Sequence, residues 1–312
     1  MTWTSRWGFA TAVTLLAACA VSDTTAVKST APGRPLFSHD PDNTGTPDLI
    51  VDAAMLGSSW VMYDETIPVG SCVAIEGEVT PGDHRLLRFS VSTPNIGSAD
   101  MYIGDPNTHF DPNGDGDPSD SDGLFEYATC HRHFHFRNYA TYQLYPILPD
   151  GSLGPPMRSA KRGFCMLDIT PFKSDETPPK AWNYRACGLP ARDGNPAIPG
   201  NQGISTGWAD EYVKALAGQF FVVDDIPEGP YLIRIVVNPP FVPKGGEPCP
   251  HTDSQGSCHM LPESDYVNNV GEVRIFIPAG RAGKKGWGPG GGQELPADVY
   301  SLTDDEKRGT SK

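Results

Sequence analysis

Residues 130–135 read Cys130-His131-Arg132-His133-Phe134-His135, which sets three of the chain's 8 histidines at alternate positions. Alternation at i, i+2 and i+4 places side chains on one face of an extended strand. The spacing therefore predicts a β-strand with His131, His133 and His135 on one side and Arg132 and Phe134 on the other. Three neutral imidazoles on one face can converge on a single transition-metal ion. That donor set suits Cu(II) or Zn(II) and leaves positions open for water, oxygen or substrate. A surface strand that gathers metal adventitiously is the plainer alternative. The aromatic residues and the cysteine that bound the run read as core and disulfide positions, which argues against it.

Outward from this run the chain keeps the same character. Its 312 residues are 38% hydrophobic and 20% charged, enough for one substantial β domain or two small ones. Pro (31) and Gly (34) are abundant, which favours many turns and short strands over long helices. Candidate strands are Asp48–Ala53, Ser59–Met62, Ser71–Val79, Leu86–Ser92, Asp100–Ile103, His131–Leu144, Gly163–Asp168, Gln219–Val223, Tyr231–Val237 and Glu272–Ile277. The segment Asp210–Leu216 could make two helical turns. The expected fold class is all-β: a β-sandwich-like domain with long loops and little helix. The formal charge of −14 argues against a nucleic-acid partner and favours cationic ones such as amines or lysine-rich peptides.

The N-terminus reads as an export signal: Arg6, then an apolar run from Trp7 to Ala18, too short for a membrane-spanning helix. Its end, Leu16-Ala17-Ala18-Cys19, resembles the bacterial lipoprotein box, in which the cysteine is lipidated after cleavage. Cleavage at Ala18-Cys19-Ala20 is the competing reading. The expected organisation is a signal over 1–19, a flexible tether over 20–45, a catalytic domain over 46–278 and a disordered tail over 279–312. An exported, lipid-anchored or extracellular protein follows, with no other membrane contact. Six cysteines then remain: Cys72, Cys130, Cys165, Cys187, Cys249 and Cys258. An even number in an exported chain reads as a disulfide framework with 15 possible connectivities. Cys249 and Cys258 flank a polar loop that a bridge would close. The acidic run Asp111-Pro-Asn-Gly-Asp115-Gly-Asp117-Pro-Ser-Asp120-Ser-Asp122 has calcium-loop spacing. The terminal Glu and flanking helices of that motif are missing, so a solvated loop is the stronger reading.

Five further pieces occur in order: Phe-Glu-Tyr-Ala-Thr-Cys-His-Arg-His-Phe-His (125–135), Lys-Arg-Gly-Phe-Cys (161–165), Gln-Gly-Ile-Ser-Thr-Gly-Trp-Ala-Asp-Glu-Tyr (202–212), Gly-Gln-Phe-Phe with Ile-Pro-Glu-Gly-Pro-Tyr (218–231), and Val-Asn-Pro-Pro with Pro-Glu-Ser-Asp-Tyr-Val-Asn-Asn (237–269). Together, over roughly 46–278, they resemble the catalytic domain of the lysyl oxidases, copper-dependent amine oxidases. The resemblance implies copper on His131, His133 and His135. It also implies a lysine tyrosylquinone made by cross-linking Lys161 to an oxidised Tyr212. Taken singly, Lys161 would be a strand-edge lysine and Tyr212 a helix-face aromatic. The implied reaction is oxidative deamination of primary amines or of lysine-containing proteins. It consumes dioxygen and releases an aldehyde, ammonia and hydrogen peroxide. A quinone carbonyl is an electrophile for such amines, and a carboxylate base is needed; Asp168 and Asp210 are the candidates. Calcium is the further implied ion, on Asp48, Leu49, Glu263, Asp265, Asn268 and Asn269, although a hydrogen-bonded polar turn would use the same residues. The resemblance also implies a Cys130–Cys187 disulfide, leaving Cys72 with Cys165. The chain departs from the family's vertebrate members in having fewer cysteines and Ala128 where they carry another histidine. Two alternatives remain: a metal-binding β-sandwich surface lipoprotein without quinone, and a structural protein stabilised by calcium and disulfides.

Overall fold

The computed structural model describes residues 44–114, 117–159, 161, 163–172, 182–244, 248–297 and 299–300. The signal and nearly all of the tether, Asp115 of the acidic loop and residues 301–312 lie outside these. The chain opens with helix α1 (Ala53–Ser59), β1 (Val61–Ile67), the single turn α2 (Cys72–Ile75), β2 (Gly82–Arg88), β3 (Val91–Pro94) and β4 (Met101–Gly104). Then come the turn α3 (Asn107–Phe110), β5 (Phe125–Ala128), β6 (His133–Phe136), β7 (Ala140–Pro146), β8 (Met157–Arg158) and β9 (Thr170–Pro171). The second half holds β10 (Gln202–Ile204), β11 (Trp208–Tyr212), β12 (Phe220–Val222), β13 (Gly229–Val237), β14 (His251–Thr252), β15 (Cys258–His259) and β16 (Val270–Ile277). The fold is all-β, as the composition suggests.

Every strand pairing among the described residues is antiparallel. The four-stranded sheet runs β16-β13-β7-β8, and two three-stranded sheets run β1-β2-β12 and β3-β11-β9. Three ribbons, β10-β4, β5-β6 and β14-β15, complete the set. The four-stranded sheet follows the period-2 rule. Tyr231, Ile233, Ile235 and Val237 of β13 turn inward, as do Ile275 and Ile277 of β16, while Glu272 and Arg274 face solvent. Met62, Leu87, Phe89 and Phe221 reach the same core cluster from the β1-β2-β12 region, so the sheets share one apolar interior.

Local chemistry explains the boundaries. Asp52 caps α1, its Oδ1 accepting from the amides of Ala54 at 2.9 Å and Met55 at 3.0 Å. The stretch expected as a strand over Ser71–Val79 instead forms α2, closed by Gly77 in the left-handed region at φ 72°. Asp210–Leu216 is not helical either. Its first residues belong to β11, where Asp210 pairs with Thr93 and Tyr212 with Val91. Pairing on β3 overrides a weak helical pattern. Gly163–Asp168 makes one isolated bridge, Phe136 with Phe164, rather than a strand.

The disulfides differ from expectation in two of three cases. They join Cys72 to Cys130, Cys165 to Cys187 and Cys249 to Cys258. The bridge at Cys249–Cys258 is the expected one, while Cys130–Cys187 and Cys72–Cys165 do not form. The Cα atoms of Cys72 and Cys130 lie 5.4 Å apart and those of Cys165 and Cys187 5.6 Å apart, both within bridging range. Part of the Gly-rich stretch after Ala279 packs against β1. Trp287 and Met62 exchange both backbone hydrogen bonds at 2.9 Å, and the Trp60 and Trp287 rings lie 5.6 Å apart. The glycines there permit close approach: a Cβ at Gly286 would lie 2.4 Å from Val61 Cγ2, and one at Gly290 2.1 Å from Ser59 O.

Candidate metal and cofactor site

The histidine run does not form one continuous strand. β5 and β6 make a hairpin in which Ala128 pairs with His133 and Glu126 with His135. His131 sits in the turn ahead of β6. Arg132 occupies the left-handed region at φ 58°, and its amide donates to Ala128 O at 2.7 Å. The turn brings His131 back over the strand. All three rings are buried, with centroids 5.9 Å (His131–His133), 5.4 Å (His131–His135) and 4.9 Å (His133–His135) apart.

The Nε2 atoms of His133 and His135 are 3.1 Å apart. Nitrogens bound to one ion at about 2.0–2.1 Å sit at such a separation. Among the described residues, no group of three or more His, Cys, Asp or Glu side chains closes to full metal-binding geometry. The pair His133–His135 approaches it, and His131 stands one ring away. Three buried imidazoles are a donor set that copper accepts, so the residues present fit the metal. Glu76 Oε2 lies 3.3 Å from His131 Nδ1, the carboxylate-to-imidazole contact that orients a ligand ring. No sequence motif singled out Glu76; it follows α2, and the Cys72–Cys130 bridge ties α2 to the turn.

Lys161 and Tyr212 meet at the same place. Lys161 Nζ lies 4.8 Å from the centroid of the Tyr212 ring and 5.6 Å from that of Phe164. Tyr212 is fully buried, its hydroxyl donates to Cys165 O at 2.8 Å, and Phe164 meets its ring edge-on at 5.2 Å. Gly163 joins this pair to the histidines. A Cβ there would fall 2.2 Å from His135 Nδ1, so the ring packs directly on the backbone two residues after Lys161. A recess of about 280 Å³ opens beside them, lined by Glu76, Glu78, Glu126, Tyr127, His135 and Gly163. Recesses of about 880 Å³ and 520 Å³ exist elsewhere, and neither is lined by the three histidines, Lys161 or Tyr212. Chemistry, not size, selects the site.

The two candidate bases separate. Asp168 accepts from the Ser205 amide and hydroxyl at 2.7 Å each and from the amides of Asn183 at 2.9 Å and Tyr184 at 3.2 Å. Burial raises its pKa while these bonds pull it down. It clamps loops. Asp210 is fully buried on β11 two residues before Tyr212, hence on the same strand face.

Of the six residues of the implied calcium site, Asp48, Leu49, Glu263, Asn268 and Asn269 are joined by hydrogen bonds, while Asp265 contacts only its own turn. Glu263 accepts from the Leu49 amide at 2.6 Å, Asn238 at 2.6 Å and Asn269 at 2.9 Å. Asp48 accepts from Asn268 at 2.9 Å and Ser264 at 2.8 Å. Asp265 caps its own turn through the Val267 amide at 2.7 Å. Burial raises the Glu263 carboxyl to about 8. Asn268 Oδ1 and Asn269 Oδ1 are buried without a hydrogen-bond partner, and hard oxygen atoms of that kind fit calcium.

A family model for lysyl oxidase matches residues 70–245. The chain belongs to the lysyl oxidase family. It is 24% identical over 237 residues to lysyl oxidase homolog 2 of Rattus norvegicus, covering 73% of this chain and 24% of the relative. To protein-lysine 6-oxidase of Homo sapiens it is 23% identical over 236 residues, covering 72% of this chain and 44% of the relative. The chain thus spans less than half the length of these relatives.

Proposed function

We propose that the chain is a copper- and quinone-dependent amine oxidase. With dioxygen and water it would convert primary amines, free or as peptidyl lysine, into aldehydes, ammonia and hydrogen peroxide. The observation that carries this reading is the approach of Lys161 Nζ to the buried Tyr212 ring, 4.8 Å from its centroid, beside three buried histidines. Copper on His131, His133 and His135 would supply the oxygen chemistry, and a lysine tyrosylquinone built from Lys161 and Tyr212 an electrophilic carbonyl.

The chain's own residues have definite tasks in this reading. The Cys165 carbonyl and the Phe164 edge hold the Tyr212 ring in one orientation. Burial of Tyr212 keeps bulk water from it. Glu76, Glu78 and Glu126 give the recess a negative wall that attracts an ammonium group. Asp210, two residues before Tyr212 on the same face of β11, is the better-placed proton acceptor. Calcium on Asp48, Leu49, Glu263, Asp265, Asn268 and Asn269 belongs to the same reading as a structural ion. Export through the N-terminal signal, with or without a lipid on Cys19, belongs to it as well.

The deciding experiment is an intact mass and peptide map of the copper-loaded chain, together with Lys161→Ala and Tyr212→Phe. The expected result is a linked Lys161–Tyr212 peptide in the wild type only. Both variants should keep copper but lose the quinone band, hydrazine labelling and peroxide release. Undiminished turnover in Lys161→Ala would overturn the reading in favour of a metal-binding protein without quinone.

A further inference from the structure

Tyr139 and Thr93 are both buried, and their hydroxyls are hydrogen-bonded to each other. Thr93 Oγ1 also donates to the backbone carbonyl of Asp210 at 3.3 Å. Thr93 has one hydroxyl proton, and a carbonyl oxygen can only accept. The direction of the chain follows: Tyr139 donates to Thr93, and Thr93 donates to Asp210 O. Burial, and after it the Asp210 charge, holds the Tyr139 hydroxyl well above its ordinary pKa, so it keeps the proton it donates. Tyr139 is anchored in turn, since the Asn238 amide donates to its carbonyl at 2.6 Å. Register sets this pair beside the Tyr212 ring. Thr93 lies directly opposite Asp210 in the β3–β11 ladder, and Val91 lies opposite Tyr212. Opposed residues present their side chains on one sheet face, with Cβ atoms about 4.5–5.5 Å apart, and residues i and i+2 of a strand also share a face. Thr93, Asp210 and Tyr212 therefore occupy the same face. The Tyr139 ring reaches it from just before β7, and the rings of Tyr139 and Tyr212 each meet the Phe164 ring at 5.2 Å. Phe at 139 and Val at 93 would fill nearly the same space with no polar atom to desolvate, so packing does not require the two hydroxyls.

We infer that Tyr139 and Thr93 are positioning residues for Asp210, their hydroxyls pinning its peptide so that the carboxylate keeps one place beside the Tyr212 ring; this rests on the amine oxidase reading. An aspartate carries its carboxylate on a single methylene, so holding its peptide largely holds the acid. The step served moves a proton from the amine-bearing carbon of the substrate to the Asp210 carboxylate, while the electron pair of that C–H bond passes to the quinone. Dioxygen later accepts the pair with two protons as hydrogen peroxide. Proton transfer of this kind depends steeply on placement, and a drift of about 1 Å can cost about 10²-fold in rate. Two hydroxyls buried at some cost are accounted for by the acid whose peptide they hold.

The test uses the full chain with Tyr139→Phe, Thr93→Val and Thr93→Ser, each prepared without copper and after aerobic copper loading. In the metal-free proteins, amide hydrogen exchange over residues 208–212 should be several-fold faster in Tyr139→Phe and Thr93→Val, with exchange in β13 unchanged. In the loaded proteins, a primary amine is added without oxygen, and bleaching of the quinone band reads the proton-transfer step. The rate per quinone should fall about tenfold in Tyr139→Phe and Thr93→Val at an unchanged KM. The isotope effect on kcat with a carbon-deuterated amine should rise in both, and Thr93→Ser, which keeps the hydroxyl, should restore the wild-type rate. Fewer quinones per chain at an unchanged rate per quinone would mark a purely structural role and overturn the inference. Unchanged exchange over 208–212 would overturn it too, as would a Thr93→Ser protein as slow as Thr93→Val. A wild type with no quinone band and no linked Lys161–Tyr212 peptide would overturn the amine oxidase reading itself, and this inference with it.

Discussion

Gly163 sets the distance between the histidines and the Lys161–Tyr212 pair, because the His135 ring occupies the space where its Cβ would be. Gly163→Ala must therefore push the ring away, and copper affinity should fall by about 10–100-fold, the range for residues that orient a ligand. Titration of metal-free protein with copper checks this; unchanged affinity would mean the ring can move without cost. The contribution of Glu76 at His131 was illegible in the sequence, because nothing in Ile-Glu-Gly separates it from a surface carboxylate. The histidines themselves were legible from spacing, yet His131 reaches the cluster by a turn and not by strand alternation. Arg132 at a positive φ is the reason. Non-glycine residues rarely adopt that conformation, so no residue type announces it.

The β5–β6 hairpin depends on its anchor to α2. Cys72–Cys130 closes a loop of sequence separation 58. Replacing both cysteines by Ser should cost roughly 2–4 kcal/mol of stability. Because the bridge also ties Glu76 to the turn, copper should be lost at a lower denaturant concentration than the β13 core unfolds. Coincident release of metal and global unfolding would contradict that order. A second junction titrates. His84 of β2 contacts Asp224, just past β12, at 2.7 Å. Burial disfavours the charged ring, but the Asp224 and Thr80 contacts outweigh it and raise the pKa. The stabilisation is thus complete below the ordinary histidine value of about 6.5 and is lost as pH rises through the higher folded value. Asp224→Asn should flatten the dependence of melting temperature on pH above neutrality; an unchanged slope would exclude the pair as its source. The expected disulfides were wrong because neither the turn at 129–132 nor the helical turn at 72–75 was legible. Those two turns decide which cysteines meet.

Across the whole molecule, segments far apart in sequence close the structure. Leu49 and Glu263 meet at a separation of 214 residues, and Asp48 and Asn268 at 220. Asp265→Ala with Asn268→Ala should lower the melting temperature more in calcium than in chelator. An equal loss in both buffers would identify a hydrogen-bonded turn and no ion. The C-terminal stretch makes the other long closure. Arg88, wholly buried, forms a bidentate pair with Glu65 at 2.7 and 3.0 Å, and Tyr300 contacts both. Arg88 also donates to the carbonyls of Lys214 at 2.9 Å and Leu216 at 3.3 Å, in the loop that follows Tyr212. Ending the chain at Pro278 should leave part of this buried charge without its partner. The cost should be about 1–3 kcal/mol at the hydroxyl alone, read as a drop in the denaturation midpoint. The all-β class and most strands were legible because alternation is local information. The packing of Trp287 on Met62 was not, because glycines that allow close approach look the same in sequence as glycines of a linker.

Tyr300 meets Glu65 across a separation of 235 residues, and this contact has a consequence in time. The loop after Tyr212 gains its last support only when residues near 300 have emerged and returned to β1. Late arrival of the strap separates the making of the polypeptide from the final tightening around Tyr212.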